Sequence, residues 1–367
     1  MTSVVKNARS LPRLRAMRGV SLVEVMVGLT IGMLLVAGLA LMFGNASRAN
    51  SELDKSVRHI ENGRYALDLL TQEISLAGYY GTVPATAGGT LTNSPCQDST
   101  TLATALVTMQ NTVPVTVPAP VQGFTPAAAA SLTCIPNYKS GTPVLAIRRL
   151  DTATTAIGSL TNGVLYVQTS HNQFDNYASY KAAVGSGSNA TNFNLKALPP
   201  AGGGAASANP ARRFISRIYY IANCNDCSGA GDGIPTLRVS ELNGATFTNQ
   251  PLAEGIDQIG FDFGIDDSPA TRDGVPDTWY GLNGPSAGAT ETTYMSTRWV
   301  DVVAVRISLV SRSPEFTAGW SDVGTYAAGQ TNTTAFSYSP PSTALNFKRR
   351  GYVTTIRLNN WAGLRES

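Results

Sequence analysis

The residues in this chain that could do chemistry are a carboxylate inside an apolar run, four cysteines, and an aspartate-rich loop. Glu24 is the only charged side chain between Val20 and Phe43. A charge placed inside a membrane-length apolar segment is costly until something pairs with it, and an amine or guanidinium from a neighbouring molecule would serve. The competing reading is a side chain that snorkels to the headgroups, which its place near the start of the run permits. Pairing between molecules is favoured, and it points to assembly rather than catalysis. Cys96, Cys134, Cys224 and Cys227 all lie beyond the apolar run, and an even number in an oxidising compartment predicts two disulfides. Cys96–Cys134 would close a long Pro- and Thr-rich loop, and Cys224-Asn225-Asp226-Cys227 would pair locally. A CxxC can also be a redox dithiol or half a zinc site. Here it follows the strand-like IYYIA into a Gly-rich turn, and neither His59 nor His171 stands at ligand-like spacing.

The third group is Asp266-Asp267, then Asp273-Gly274, then Asp277. Two readings compete. One is an oxygen-ligand loop for calcium; the other is an Asp/Gly turn whose carboxylates cap backbone N–H groups. Asp267 and Asp273 stand six positions apart with a proline and Arg272 between them, which is not EF-hand spacing, so the turn is favoured. Lys348-Arg349-Arg350 reads as a solvated edge that discourages strand pairing between molecules. Trp279-Tyr280, Trp320 and Trp361 read as core aromatics. No G-x-S-x-G, Walker A or H-E-x-x-H pattern is present, so no catalytic residue and no cofactor is expected. A carboxylate-based hydrolase needs only that two acids meet in space.

The elements that must position these groups follow from periodicity. Residues 20–44 form a helix long enough to span a bilayer, roughly 36 Å from Val20 to Phe43 at about 1.5 Å per residue. Leu53, Val57, Ile60, Leu67, Leu70 and Ile74 continue at helical spacing, and Ala77-Gly78 supplies a stop. The helix is thus expected from Val20 to Ala77, apolar over 20–44 and amphipathic over 45–78, with Gly44, Asn45 and Gly63 as points where it could bend. Strand-like runs follow at Val144–Leu150, Val164–Thr169, Phe214–Ala222, Leu237–Leu242, Ile256–Ile265, Trp299–Val310 and Tyr352–Leu358. In Trp299–Val310 the alternation predicts a half-buried strand. Residues 79–367 should therefore be one β-rich extracytoplasmic domain, with a spacer near 185–210. The fold class is α+β, a long helix packed on an antiparallel sheet with long loops.

The first 19 residues carry Lys6, Arg9, Arg13, Arg15 and Arg18 and no acid, which holds the N-terminus in the cytoplasm. No small-residue cleavage motif closes the apolar run, so hydropathy alone gives an uncleaved single-pass anchor. The whole chain has 27 basic and 24 acidic side chains, and without those five the balance is 22 against 24. The basic surplus therefore belongs to the leader and gives no reason to expect direct nucleic-acid binding.

Arg18-Gly19 followed by Val20-Ser21-Leu22-Val23-Glu24 resembles the leader and mature start of type IV prepilins. Farther on, AGDGIPTL at 230–237, LAEGIDQI at 252–259 and FKRRGYVTTIRLN at 347–359 look like the PilW family of minor pilins. The resemblance implies that a prepilin peptidase cuts between Gly19 and Val20 and that Val20, where the family usually has Phe, is N-methylated. It implies that Glu24 meets the N-terminal amine of an adjacent subunit during assembly. The implied partners are other minor pilins and the major pilin through the helix, the inner membrane, and an adhesin at the pilus tip. The implied location is the inner membrane first, then the periplasm and fibre. The alternatives are a type II secretion pseudopilin, which shares the N-terminus, and an uncleaved membrane-tethered periplasmic binding protein or hydrolase.

Overall fold

The computed structural model describes residues 19–83, 94–112, 115–170, 180–197, 207–268 and 272–365, with backbone alone at 87–89. The basic leader through Arg18, His171 and residues 198–206 of the expected spacer lie outside that set. The chain forms two compact units, residues 1–54 and 55–367. Helix α1 runs Leu22–Leu76, so its residues to Asp54 belong to the first unit and those from Lys55 to the second.

In the first unit no described residue packs over the apolar helix. Every described residue from Gly19 to Phe43 is exposed apart from Gly32. Among the described residues, α1 is the helix long and apolar enough to cross a membrane.

In the second unit, α1 presents His59, Gly63, Ala66, Leu70 and Ile74 to the core. This corrects the expected stripe: Val57 is exposed and Ile60 and Leu67 are only half-buried, while His59 and Gly63 take inward positions. The stripe shifts because Gly63 lets the helix approach a strand closely. A Cβ there would stand 2.6 Å from the Cε2 of Tyr352, so Gly63 serves packing and need not mark a bend.

The strands are β1 (Ala87–Gly89), β2 (Thr116–Pro118), β3 (Val121–Phe124), β4 (Val144–Leu150), β5 (Leu165–Thr169), β6 (Tyr180–Val184), β7 (Ala211–Ala222), β8 (Thr236–Asn243), β9 (Thr246–Glu254), β10 (Ile256–Ile265), β11 (Thr278–Leu282), β12 (Val302–Arg312), β13 (Tyr326–Asn332), β14 (Thr334–Tyr338) and β15 (Arg349–Arg357). Helix α2, Ser99–Gln110, starts from the cap Asp98, whose carboxylate accepts from Thr100 and Thr101 N–H. β1 and β2 form a short parallel pair. One sheet runs β3-β4-β7-β5-β6, with β8 on β7 and β9 on β8; the other runs β14-β13-β11-β10-β12-β15. All pairings in these two sheets are antiparallel. β8 and β9 join through Gly244-Ala245, with Gly244 at φ +67°, the position where a two-residue hairpin turn favours glycine.

The core is one large cluster shared by both sheets and α1, including Ala66, Leu70, Ile74, Leu145, Phe263, Val305 and Trp361. A second, smaller cluster lies on Ala146 of β4 and Ile218 and Tyr220 of β7. β12 is buried on both faces except at Arg306, not half-buried as its alternation implied. It lies between β10 and β15, and Arg306 pairs with the neighbouring Asp262 of β10 at 2.9 Å.

Candidate functional site

The helix start sets out the first group of candidate residues. Gly19 and Val20 precede the helix, and Ser21 caps it: its Oγ accepts from Glu24 N–H at 3.2 Å and its carbonyl accepts from Glu24 and Val25 N–H. The Ser-x-x-Glu spacing is an N-cap signature that the charge pattern alone overlooked. Glu24 stands in the first turn, where a carboxylate complements the positive end of the helix. No other described residue of the first unit covers it, so its carboxylate is exposed among the described residues.

In the second unit, charge locks α1 onto the first sheet. Glu73 accepts from Arg217 at 2.6 Å and lies 3.5 Å from Arg149 Nη2. Arg217 also donates to Glu241 at 2.8 Å, which takes Arg213 at 2.7 Å. Partial burial and networking make these pairs worth more than isolated surface bridges. Nearby Arg148 is fully buried against the neutral Gln122 at 2.9 Å, and burial pushes its guanidinium down to about 10.

The basic cluster at 348–350 does not behave as one solvated edge. β15 is an edge strand, as expected, yet the Arg349 side chain is 0 % exposed. It donates to Asp257 at 2.7 Å, to Asp322 at 3.2 Å and to the carbonyls of Ala344 and Phe347. Asp257 also takes Lys139 at 2.6 Å and the Tyr338 hydroxyl at 2.8 Å. Burial disfavours the ionised Asp257, but Lys139 and Arg349 outweigh it and hold the carboxyl well below its ordinary range. This network pins β10, β14, β15 and the loop after β12 to one another. A strand that alternates its side chains must turn one residue of any basic triplet inward, and Arg349 is that residue.

The aspartate loop is a capped turn. Asp266 accepts from Gly274 N–H at 3.0 Å, Asp273 from Val275 N–H at 3.0 Å and Asp277 from Ser268 N–H at 3.1 Å. Asp267 instead faces Arg298 at 3.5 Å, and Arg365 lies 3.6 Å from Asp266. Among the described residues no group of three or more His, Cys, Asp or Glu is placed to hold a metal ion. Cys96 is bonded to Cys134 and Cys224 to Cys227, and no described cysteine is free. Trp299 and Trp361 are buried, whereas Trp320 is 47 % exposed, against the expectation of a core aromatic. A cavity of about 120 Å³ lies between β3 and residues 289–299, lined by Gln122, Phe124, Ala128, Thr292, Ser296 and Trp299. None of these side chains titrates near neutral pH, so the cavity offers no acid–base chemistry.

Residues 218–360 match the PilW family, described as Type IV Pilus-assembly protein W. The matched stretch runs from within β7 through β15 and contains Asp257, Asp322, Tyr338 and Arg349 of the buried network, though not Lys139, together with the capped aspartate turn. It thus places this region in a type IV pilus-assembly family. No curated protein matches the chain. Among solved structures, similarity to the type IV-like pilin TTHA1219 from Thermus thermophilus covers 61% of this chain and 80% of that one. The identity is 10% and the TM-score 0.26, too low to weigh in the fold assignment.

Proposed function

We propose that this protein is a minor pilin of the type IV pilus and a non-enzymatic subunit. It is held in the inner membrane by residues 20–44 with the N-terminus in the cytoplasm. The prepilin peptidase cuts between Gly19 and Val20, and Val20 becomes the N-methylated terminus. Glu24 then pairs with the terminal amine of an adjacent subunit, which relieves the cost of both charges among apolar helices. Through this helix the subunit joins other minor pilins and the major pilin, primes fibre assembly and sits at or near the tip, where its β-rich domain supports an adhesin. The observation that carries this reading is the PilW match over 218–360. The uncovered apolar helix with a single carboxylate in its first turn supports it.

The test is a deletion strain scored for surface pili and twitching motility. Loss of pili, restored by the wild-type gene and not by Glu24→Val, is expected. Normal piliation with a block in protein secretion would instead identify a secretion pseudopilin.

A further inference from the structure

We propose that the outer edge of β15 is a docking site for an extended, acid-flanked segment of another protein, which adds to the β14-β13-β11-β10-β12-β15 sheet as a further strand. β15 ends that sheet. Leu358 N–H donates to the Val303 carbonyl and Ser313 N–H to the Lys348 carbonyl, both at 2.9 Å. With Tyr352 opposite Leu309, Thr354 opposite Ile307 and Ile356 opposite Val305, antiparallel alternation gives the even-numbered residues the bonds to β12. The odd-numbered Gly351, Val353 and Thr355 therefore turn their N–H and C=O away from β12. Among the described residues, no group bonds to these three N–H and three C=O groups.

The strand is held ready for such a partner. Its register with β12 is unbroken over the nine residues Arg349–Arg357, and it contains no proline. Other sheet ends are blunted: β3 has four residues, β6 and β14 five each, and β9 carries Pro251. Tyr352 packs on Gly63 and Ile356 is buried, so one face is fixed, whereas Gly351, Val353 and Thr355 are exposed. The central Tyr-Val-Thr-Thr-Ile is built of residues that favour strands, so little ordering is left to be done on binding. Main-chain pairing of this kind supplies affinity, and the flanking side chains select the partner.

Charge decides the occupant. The strand holds Arg349, Arg350 and Arg357 and no acid, with Lys348 just before it. Asp257 and Asp322 take up Arg349, while Arg350 and Arg357 are exposed near the two ends. A second copy paired antiparallel about Val353 would set Arg349 of each chain opposite Arg357 of the other, and like charges directly opposite repel. A segment with one carboxylate opposite Arg350 and another opposite Arg357 gains a cross-strand ion pair at each end instead. The basic residues that turn away a copy of this chain thus favour an acidic partner.

The test uses the full chain in detergent and a fluorescein-labelled peptide of about eight residues, alternating valine and threonine with a glutamate at each end. Fluorescence anisotropy should show saturable binding. Binding should weaken at least about tenfold when the interior amides of the peptide are N-methylated, and likewise with Val353→Pro, whose lost N–H points outward and leaves the bonds to β12 in place. Arg350→Glu, or lysine in place of the peptide's glutamates, should weaken it about threefold or more. Unchanged tryptophan emission and urea midpoints report that the variants fold; if Val353→Pro does not, the methylated peptide and Arg350→Glu decide. Amide hydrogen exchange should find Gly351, Val353 and Thr355 open in the chain alone and protected by the peptide. Equal binding of methylated and unmethylated peptide, no binding at all, or amides already protected in the chain alone overturns the proposal. A dimer in sedimentation that Val353→Pro abolishes overturns it in favour of a second copy.

Discussion

Replacing Arg349 with methionine should be among the most destabilising single changes in the domain. The side chain is 0 % exposed and holds Asp257 at 2.7 Å and Asp322 at 3.2 Å, and it also donates to the carbonyls of Ala344 and Phe347. Removing one partner of a buried ion pair costs about 3–5 kcal/mol, because the other charge stays buried. Asp257 keeps Lys139 at 2.6 Å and Tyr338 at 2.8 Å, and Asp322 keeps the Tyr326 hydroxyl at 2.9 Å. Those remaining partners put the expectation at the lower end, about 3 kcal/mol. Arg350 is exposed, so Arg350→Met should stay within about 0.5 kcal/mol of wild type. Arg349→Lys should restore only part of the loss, since a point charge cannot bridge two carboxylates as a planar fork does. Urea unfolding of the detergent-solubilised chain, followed by tryptophan emission, gives the three midpoints. If Arg349→Met and Arg350→Met unfold together within about 0.5 kcal/mol, the buried network has been misjudged.

Gly63→Ala forces a methyl group onto the Tyr352 ring and should cost about 1–3 kcal/mol by overpacking, less the gain of up to about 1 from helix propensity. Gly44→Ala has nothing within 4 Å of the new Cβ and should cost nothing, as thermal unfolding of both variants would show. His59 is buried, and that burial holds its pKa below 6.5. Its neutral form therefore contributes stability above about pH 6.5, lost as pH falls through the lower folded value, and His59→Gln should flatten this slope in a pH series of urea midpoints. The two disulfides close rings of very different size, with separations of 38 and 3 residues. Replacing Cys96 and Cys134 by serine should cost about 4 kcal/mol, and replacing Cys224 and Cys227 about 2, on the chain-entropy argument.

The sequence made the regular elements legible where burial is regular. β4 and β10 appear at their expected bounds because both lie in sheet interiors and are buried along their whole length, and α1 lies within two residues of its expected ends. Helix α2 was not foreseen, because Ser99–Gln110 is rich in threonine, a poor helix former, and draws its start from the Asp98 cap. β9 carries Pro251 and alternates weakly because it lies at the outer edge of its sheet, beyond β8. At the candidate site, Glu24 and the cysteine pairs stand out by type alone. Arg349 did not, since three adjacent basic residues look alike until strand alternation and the distant Asp257 and Asp322 are known. Trp320 was misread for a similar reason: nothing in a single sequence separates a core tryptophan from one presented by a loop pinned at both ends.

The fate of the amino terminus tests the pilin route most directly. Mass analysis of the protein purified from cells with and without the prepilin peptidase would decide it. The expected result is a chain that begins at Val20 and carries one extra methyl group, only when the peptidase is present. A chain that keeps Met1 or Thr2 in both strains would contradict the pilin route and leave residues 20–44 as a plain membrane anchor.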